Sequence, residues 1–213
     1  MVDKRVNSFL RSGFTLVELL IVMFLMVLLL GIGAMSVARN NNNQGLNTAV
    51  TTMEGLIYQA RATAMGGKAA RLCINDDTED NDNFRRQIVI LEDTSDADSD
   101  TPEWNAISRA VYLPSGIYID DELTIPNSDE LGVFGTDGSV PFTRKQSSAA
   151  LYLEFNSLGI CKDGNDNIPG ATVGIIEGVV AGGQLILKDQ KKAALVVWRN
   201  GTSSRVNDIN SIQ

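Results

Sequence analysis

SGFTLVELLIVMFLMVLLLGIG, residues 12–33, reads as a membrane segment interrupted by one carboxylate. From Phe14 to Ala38 the only charged residue is Glu18, and as a helix those 25 residues would span about 37 Å at ~1.5 Å per residue. That is enough to cross a bilayer core of ~30 Å. Lys4, Arg5 and Arg11 precede the run against Asp3, a net of +2. A basic flank holds the N-terminus in the cytoplasm and places everything after Ala38 on the other side. An ordinary secretory signal also begins basic and ends in small residues, and Ser36-Val37-Ala38 offers such an exit. The apolar run is long for that, however, and it contains a carboxylate. A plain anchor leaves Glu18 unexplained, because an ionised group inside a span costs ~2.5–3.5 kcal/mol or more.

The rest of the chain narrows the field by what it lacks. Of 213 residues, 18 are basic and 26 acidic, a formal net charge of −8. With +2 on the first 13 residues, the remainder stands near −10. So acidic a chain is a poor general nucleic-acid binder, since phosphate contacts supply most of that affinity. Histidine is absent, which removes the commonest general base and every His-ligated metal site. With no nucleophile motif or metal cluster either, an enzyme is not expected.

After the apolar run comes RNNNNQG, residues 39–45, whose Asn and Gly are weak helix formers and predict a hinge, a melted turn or a frayed stretch. Leu46, Val50, Met53, Ile57, Ala60 and Ala64 then recur every three or four residues, one face of an amphipathic helix. Gly66 and Gly67 end it. Beyond Lys68 the chain turns to short apolar runs. ARLCIN (70–75), RQIVIL (86–91), ISRAVYL (107–113), ALYLEF (150–155), QLILK (184–188) and AALVVWR (193–199) read as strands. FNSLG, KDGNDN, VAGG and WRNG read as turns. Residues 76–106 look like an acidic insertion. The expected class is α+β: a long N-terminal hydrophobic helix packed on a mainly antiparallel β head.

GFTLVELL resembles the N-terminal signal of type IV prepilins and type II secretion pseudopilins, in which a basic leader ends in Gly, Phe follows, and Glu comes four residues later. Gly13, Phe14 and Glu18 match in place. QARATAMGGKAARLCI, LEFNSLG and AALVVWRNGTSSRV are similar to segments of the minor pilin and pseudopilin group called GspH/FimT. The usual Gly-Arg after the last strand is here RNGTSSR. Many pilins also carry a proline in the apolar helix, whereas this chain has Gly31 and Gly33 in that neighbourhood.

The resemblance implies four parts: a prepilin leader at 1–13, a transmembrane and filament-core helix at 14–38, an amphipathic continuation at 39–67, and a periplasmic β-rich head at 68–213. It implies cleavage by prepilin peptidase between Gly13 and Phe14, then N-methylation of Phe14. It gives Glu18 a partner, the cationic amine that cleavage creates on a neighbouring subunit. Two buried opposite charges compensate where either alone is costly, and such a pair can set register. The implied location is the bacterial inner membrane, single-pass, and later a pilus or pseudopilus. The implied partners are other minor pilins or pseudopilins and the major subunit. The function expected is a structural subunit that initiates or caps assembly of a type IV pilus or type II secretion pseudopilus. The alternative is a pilus-tip subunit for DNA uptake or adhesion, for which Lys188, Lys191, Lys192, Arg199 and Arg205 against Asp189 supply a local basic patch.

Two further expectations concern the head. Cys73 and Cys161 would face an oxidising space, which makes them a candidate disulfide, the other reading being two buried free thiols. No cofactor is required. The acidic runs are rich in oxygen ligands suited to calcium, with Asp163, Asn165 and Asn167 as weak candidates. Neither run completes a known calcium loop, and acidic loops are most often solvated.

Overall fold

The computed structural model describes residues 15–96, 99, 101–120, 134–143, 146–162, 170–181 and 184–206, with the side chains of 30–43, 170, 187 and 189–191 excepted. One helix, α1 (Leu16–Ala64), leads. Eleven strands follow among the described residues: β1 (Ala70–Asn75), β2 (Gln87–Asp93), β3 (Trp104–Ala106), β4 (Val111–Tyr112), β5 (Ile117–Asp120), β6 (Gly135–Thr143), β7 (Gln146–Phe155), β8 (Cys161–Lys162), β9 (Gly170–Ala181), β10 (Gln184–Trp198) and β11 (Ser203–Val206). A helix followed by antiparallel sheets is the α+β layout expected.

The chain divides into two compact units, Met1–Asn42 and Asn43–Gln213, and α1 contributes residues to both. In the first unit α1 is helical from Leu16, and its large apolar side chains through Leu29 are all exposed. Among the described residues no helix is long and apolar enough to cross a membrane. The span expected over 14–38 lies only partly within the described residues. The described side chains Leu16–Leu29 cover about 21 Å of it at ~1.5 Å per residue. Phe14 and the side chains of residues 30–43 lie outside the described residues.

RNNNNQG is helical, which corrects the hinge expected there. Helix propensity differs by only ~0.7 kcal/mol per ordinary residue, a weak prior beside a long flanking helix. The change in composition does mark the division between the two units.

In the second unit α1 buries Ala49, Val50, Met53, Leu56, Ile57, Ala60 and Ala64. Leu46 packs on the rim of this stripe. The helix stops where the Gly66 amide donates to the Thr63 carbonyl at 2.9 Å and Gly67 takes φ +115°, a left-handed conformation that glycine adopts freely.

The first sheet has the order β3-β2-β1-β7-β6, with β4 also on β2 and β8 also on β7. The second runs β11-β10-β9-β5, and every pairing in both sheets is antiparallel. Leu72 and Ile74 of β1, Ile88 and Ile90 of β2, and Leu153 and Phe155 of β7 share a core with the α1 stripe. Val173, Ile175, Leu195 and Val197 of the second sheet belong to the same cluster. The opposite side chains of the first sheet, Cys73, Val89, Leu91, Val140, Phe142 and Ala150, form a second, smaller cluster. The alternation along each strand thus feeds two apolar layers, and neither face of the first sheet is bare.

Several strand expectations need correction. Residues 76–106 are not simply an insertion, because fully buried Gln87–Leu91 of β2 lie inside them. ISRAVYL narrows to Val111–Tyr112. QLILK and AALVVWR join into the single strand β10, with a register shift between Leu187 and Lys192.

Arg85, at φ +56°, joins the two sheets. Its amide donates to the Asn75 carbonyl of β1 at 2.7 Å, and its carbonyl accepts the Ile119 amide of β5 at 2.9 Å. A left-handed non-glycine residue is costly, and here two long-range backbone bonds and an ion pair to Asp76 hold it.

Candidate functional site

The first turn of α1 carries Glu18. Thr15 stands just before the helix, and the Glu18 amide donates to Thr15 Oγ1 at 3.2 Å and to the Thr15 carbonyl at 3.1 Å. Thr15 is therefore the N-cap and Glu18 the third helical residue, the spacing of a capping box whose Thr15 half is formed. The partial positive charge of a helix start favours an anion at that position. The Thr-x-x-Glu spacing ahead of an apolar run was visible in the sequence, and reasoning from charge alone missed the role of Thr15. Gly13 and Phe14 lie outside the described residues.

Around Glu18 the helix is apolar on every side. Leu16, Val17, Leu19, Leu20, Phe24 and their neighbours through Leu29 are exposed, Leu16 at 83%. A helix apolar all round does not stay in water; it is covered by lipid or by other apolar helices. The surface therefore offers a strongly apolar rod with one anionic group at its start.

In the head, a cleft of about 610 Å³ brings the acidic run beginning at Asp93 beside Lys68, Glu154 and Lys162. Two of its carboxylates, those of Asp93 and Glu154, are already engaged. Asp93 accepts the Ser95 amide at 2.9 Å and the Glu103 amide at 3.1 Å. Its carboxyl lies below the ordinary range, since a burial cost is outweighed by the hydrogen bonds from Ser95 and Glu103. Glu154 holds Arg71 at 2.8 Å and Lys162 at 4.0 Å. Among the described residues no group of acidic or cysteine side chains is arranged to hold a metal ion. The calcium candidates Asp163, Asn165 and Asn167 lie outside them.

Cys73 and Cys161 are both buried, and no disulfide joins them. The register explains why they do not meet. Cys161 pairs with Phe155, which pairs with Ala70, three residues before Cys73. Two strand spacings and three residues put the Cα atoms about 14 Å apart, against a limit of ~7 Å for a bridge. They also face different layers, Cys161 the main core and Cys73 the smaller one. The expected disulfide is thus corrected to two separate thiols, and burial pushes the Cys73 thiol well above its ordinary pKa.

The basic patch is partly neutralised. Lys188 pairs with Glu177 at 3.5 Å, and Arg205 holds both carboxylate oxygens of Glu54. The Glu54 hydrogen bonds hold the Arg205 guanidinium above its ordinary pKa. The Lys191 side chain is outside the described residues. Two of the five cations of that patch are thus engaged by carboxylates, which weakens it as a phosphate-binding surface.

Arg71 escaped the sequence reading altogether. Its guanidinium lies between the Trp104 ring at 4.1 Å and the Tyr152 ring at 3.9 Å, and it also bonds Glu154 and Asp137. Arg71 thereby ties β1, β3, β6 and β7 together at one end of the smaller apolar layer.

Three comparisons bear on these features. Residues 9–34 match the family model described as the prokaryotic N-terminal methylation motif, and the match contains Gly13, Phe14, Thr15 and Glu18. No curated protein matches the sequence. Among solved structures, the chain is similar to the minor pseudopilin EpsH from the type 2 secretion system of Vibrio cholerae, at 14% identity and a TM-score of 0.42, over 75% of this chain and 94% of that one.

Proposed function

We propose that this chain, which bears a prepilin-type N-terminal methylation motif, is a minor structural subunit of a type IV pilin-like assembly, a pilus or a type II secretion pseudopilus. The observation that carries the reading is a coincidence of three features within one stretch. The methylation motif covers residues 9–34, the helix exposed there is apolar on all sides, and its single charge is Glu18 in the first turn. The head supplies the rest of the surface through which such subunits would contact one another.

In this mechanism the apolar helix holds the chain in the inner membrane with its N-terminus in the cytoplasm and its head in the periplasm. Prepilin peptidase cuts after Gly13, and the new amine of Phe14 is methylated. The subunit then leaves the lipid and joins a bundle of like helices with other minor subunits and the major subunit. Glu18 pairs there with the Phe14 amine of a neighbour, so each buried charge offsets the other. The role is mechanical and requires no catalysis and no cofactor.

Mass spectrometry of the protein recovered from membranes tests the first step. Methylated Phe14 should be the first residue. An N-terminus at Arg39 would mean an ordinary secretory signal and would end the pilin reading. Glu18→Ala tests the second step. Losing one partner of a buried pair costs ~3–5 kcal/mol, a factor of roughly hundreds to thousands in an equilibrium. The variant should insert and be trimmed as usual, yet fail to co-purify with partner subunits. Undiminished co-purification would remove Glu18 from the mechanism.

A further inference from the structure

The last described strand, β11, is weakly anchored. Among the described residues it pairs along one edge only, with Ala194–Val197 of β10, and none of its four residues belongs to either apolar cluster. Trp198 Nε1 donates to Ser204 Oγ at 2.5 Å, but that contact stays within the same hairpin. What ties β11 to the rest of the head is Arg205. Its Nε and Nη2 donate to the two oxygens of Glu54 at 2.6 and 2.5 Å, and Nη2 also donates to Thr51 Oγ1 at 3.0 Å. Both acceptors stand on α1, 151 and 154 residues earlier. The register accounts for the reach: Arg205 lies opposite Leu195, a core residue, so this face of β11 looks toward the helix.

We propose that β11 is a strap, clasped to α1 by Arg205 on Glu54 and Thr51, that opens locally when the clasp is broken or screened while the rest of the head stays folded. A strand with no fully buried apolar side chain is held within its hairpin by the ladder, the Trp198–Ser204 bond and the half-buried Val206, and this charged fork is its side-chain bond to α1. A bidentate guanidinium–carboxylate fork is among the stronger polar contacts. Arg205 remains 40% exposed and Glu54 27%, so salt reaches the pair. Local openings of this kind occur well below the free energy of global unfolding. Opening makes Ala194–Val197 the free edge of the second sheet, and an apolar free edge accepts another strand. The strap does not depend on the filament reading.

Hydrogen exchange on the full chain in detergent micelles tests it, followed by mass spectrometry of peptides from 194–206 and from β1–β2. Arg205→Met should speed exchange in 194–206 roughly fivefold at low ionic strength, the scale of a well-formed surface pair. The unaltered protein should approach the same rate at about 1 M salt, where the screening length is ~3 Å. Arg205→Met should no longer respond to salt. Glu54→Gln should behave alike, and the double variant should be no faster than either single one, because both remove the same contact. Exchange in 194–206 within twofold of the unaltered protein, additive effects of the two substitutions, or equal acceleration in β1–β2 would each overturn the strap.

Discussion

Replacing Arg71 by alanine should cost the head about 3 kcal/mol, with contributions from salt bridging and stacking. Arg71 is 13% exposed and its closer partner Glu154 18%, so removing the cation strands a mostly buried carboxylate. Breaking such a pair from one side typically costs ~3–5 kcal/mol. Two features lower the figure here: Asp137 keeps 30% exposure, and Lys162 remains 4.0 Å from Glu154. The ring contacts on Trp104 and Tyr152 add back ~0.5–1 kcal/mol each. In a chain of this size 1 kcal/mol shifts Tm by about 2–4 °C, so Arg71→Ala should melt roughly 6–12 °C lower. Near-ultraviolet circular dichroism is the suitable assay, because the stacked Trp104 and Tyr152 report directly on the site. Arg71→Lys keeps the charge and loses the planar fork and stack, so it should fall between. The pair Arg71→Met and Glu154→Gln should recover part of the loss, since the more buried carboxylate is then gone and the Asp137 carboxylate that remains is 30% exposed. A loss under about 1 kcal/mol for Arg71→Ala would refute the argument, by placing the pair in the class of exposed ion pairs.

Two further outcomes concern the apolar layers. An unfolded cysteine titrates near ~8.5, while burial holds Cys73 protonated to much higher pH, so the folded state keeps a proton that the unfolded state releases. This contribution is intact below the unfolded pKa and falls by ~1.4 kcal/mol per unit above it. Urea unfolding at pH 9 and 10 should therefore show a steeper decline for the unaltered protein than for Cys73→Ala, and equal slopes would contradict the burial. Gly135→Ala should destabilise by roughly 1–3 kcal/mol, because its Cβ would fall on the Tyr152 ring opposite. An ordinary Gly→Ala change at an unstrained site stabilises slightly, so the sign alone decides in a thermal melt.

What the sequence could reveal followed from how local each feature is. The apolar helix and its motif are contiguous, and a run of 25 residues with one charge has few interpretations. β1 was read at its observed bounds, because ARLCIN is a short apolar run set off by turn residues. β9 went unread, as three glycines in GATVGIIEGVVA blur the strand pattern. β5 has only four residues and is a strand because Ile117–Asp120 pairs with β9 some fifty residues away. The cysteine pairing failed for a related reason: spacing does not say which face of a sheet a residue takes, and the register set Cys73 and Cys161 apart. Arg71 was illegible because its partners come from residues 104, 137, 152 and 154.

The interleaving of the two sheets sets an order on how the chain can fold as it is made. β5 belongs to the second sheet but is inserted between β4 and β6 of the first. A chain growing from its N-terminus therefore presents β5 with no partner until β9 has emerged, about fifty residues later. Until then Ile117 and Ile119, both buried in the finished head, have only α1 and the first sheet to lean on, through the backbone bond to Arg85. The long-range pairing makes completion slow relative to local structure. A premature stop anywhere before β9 would leave a nascent head with an exposed apolar strand, a substrate for chaperones and proteases rather than a smaller working subunit.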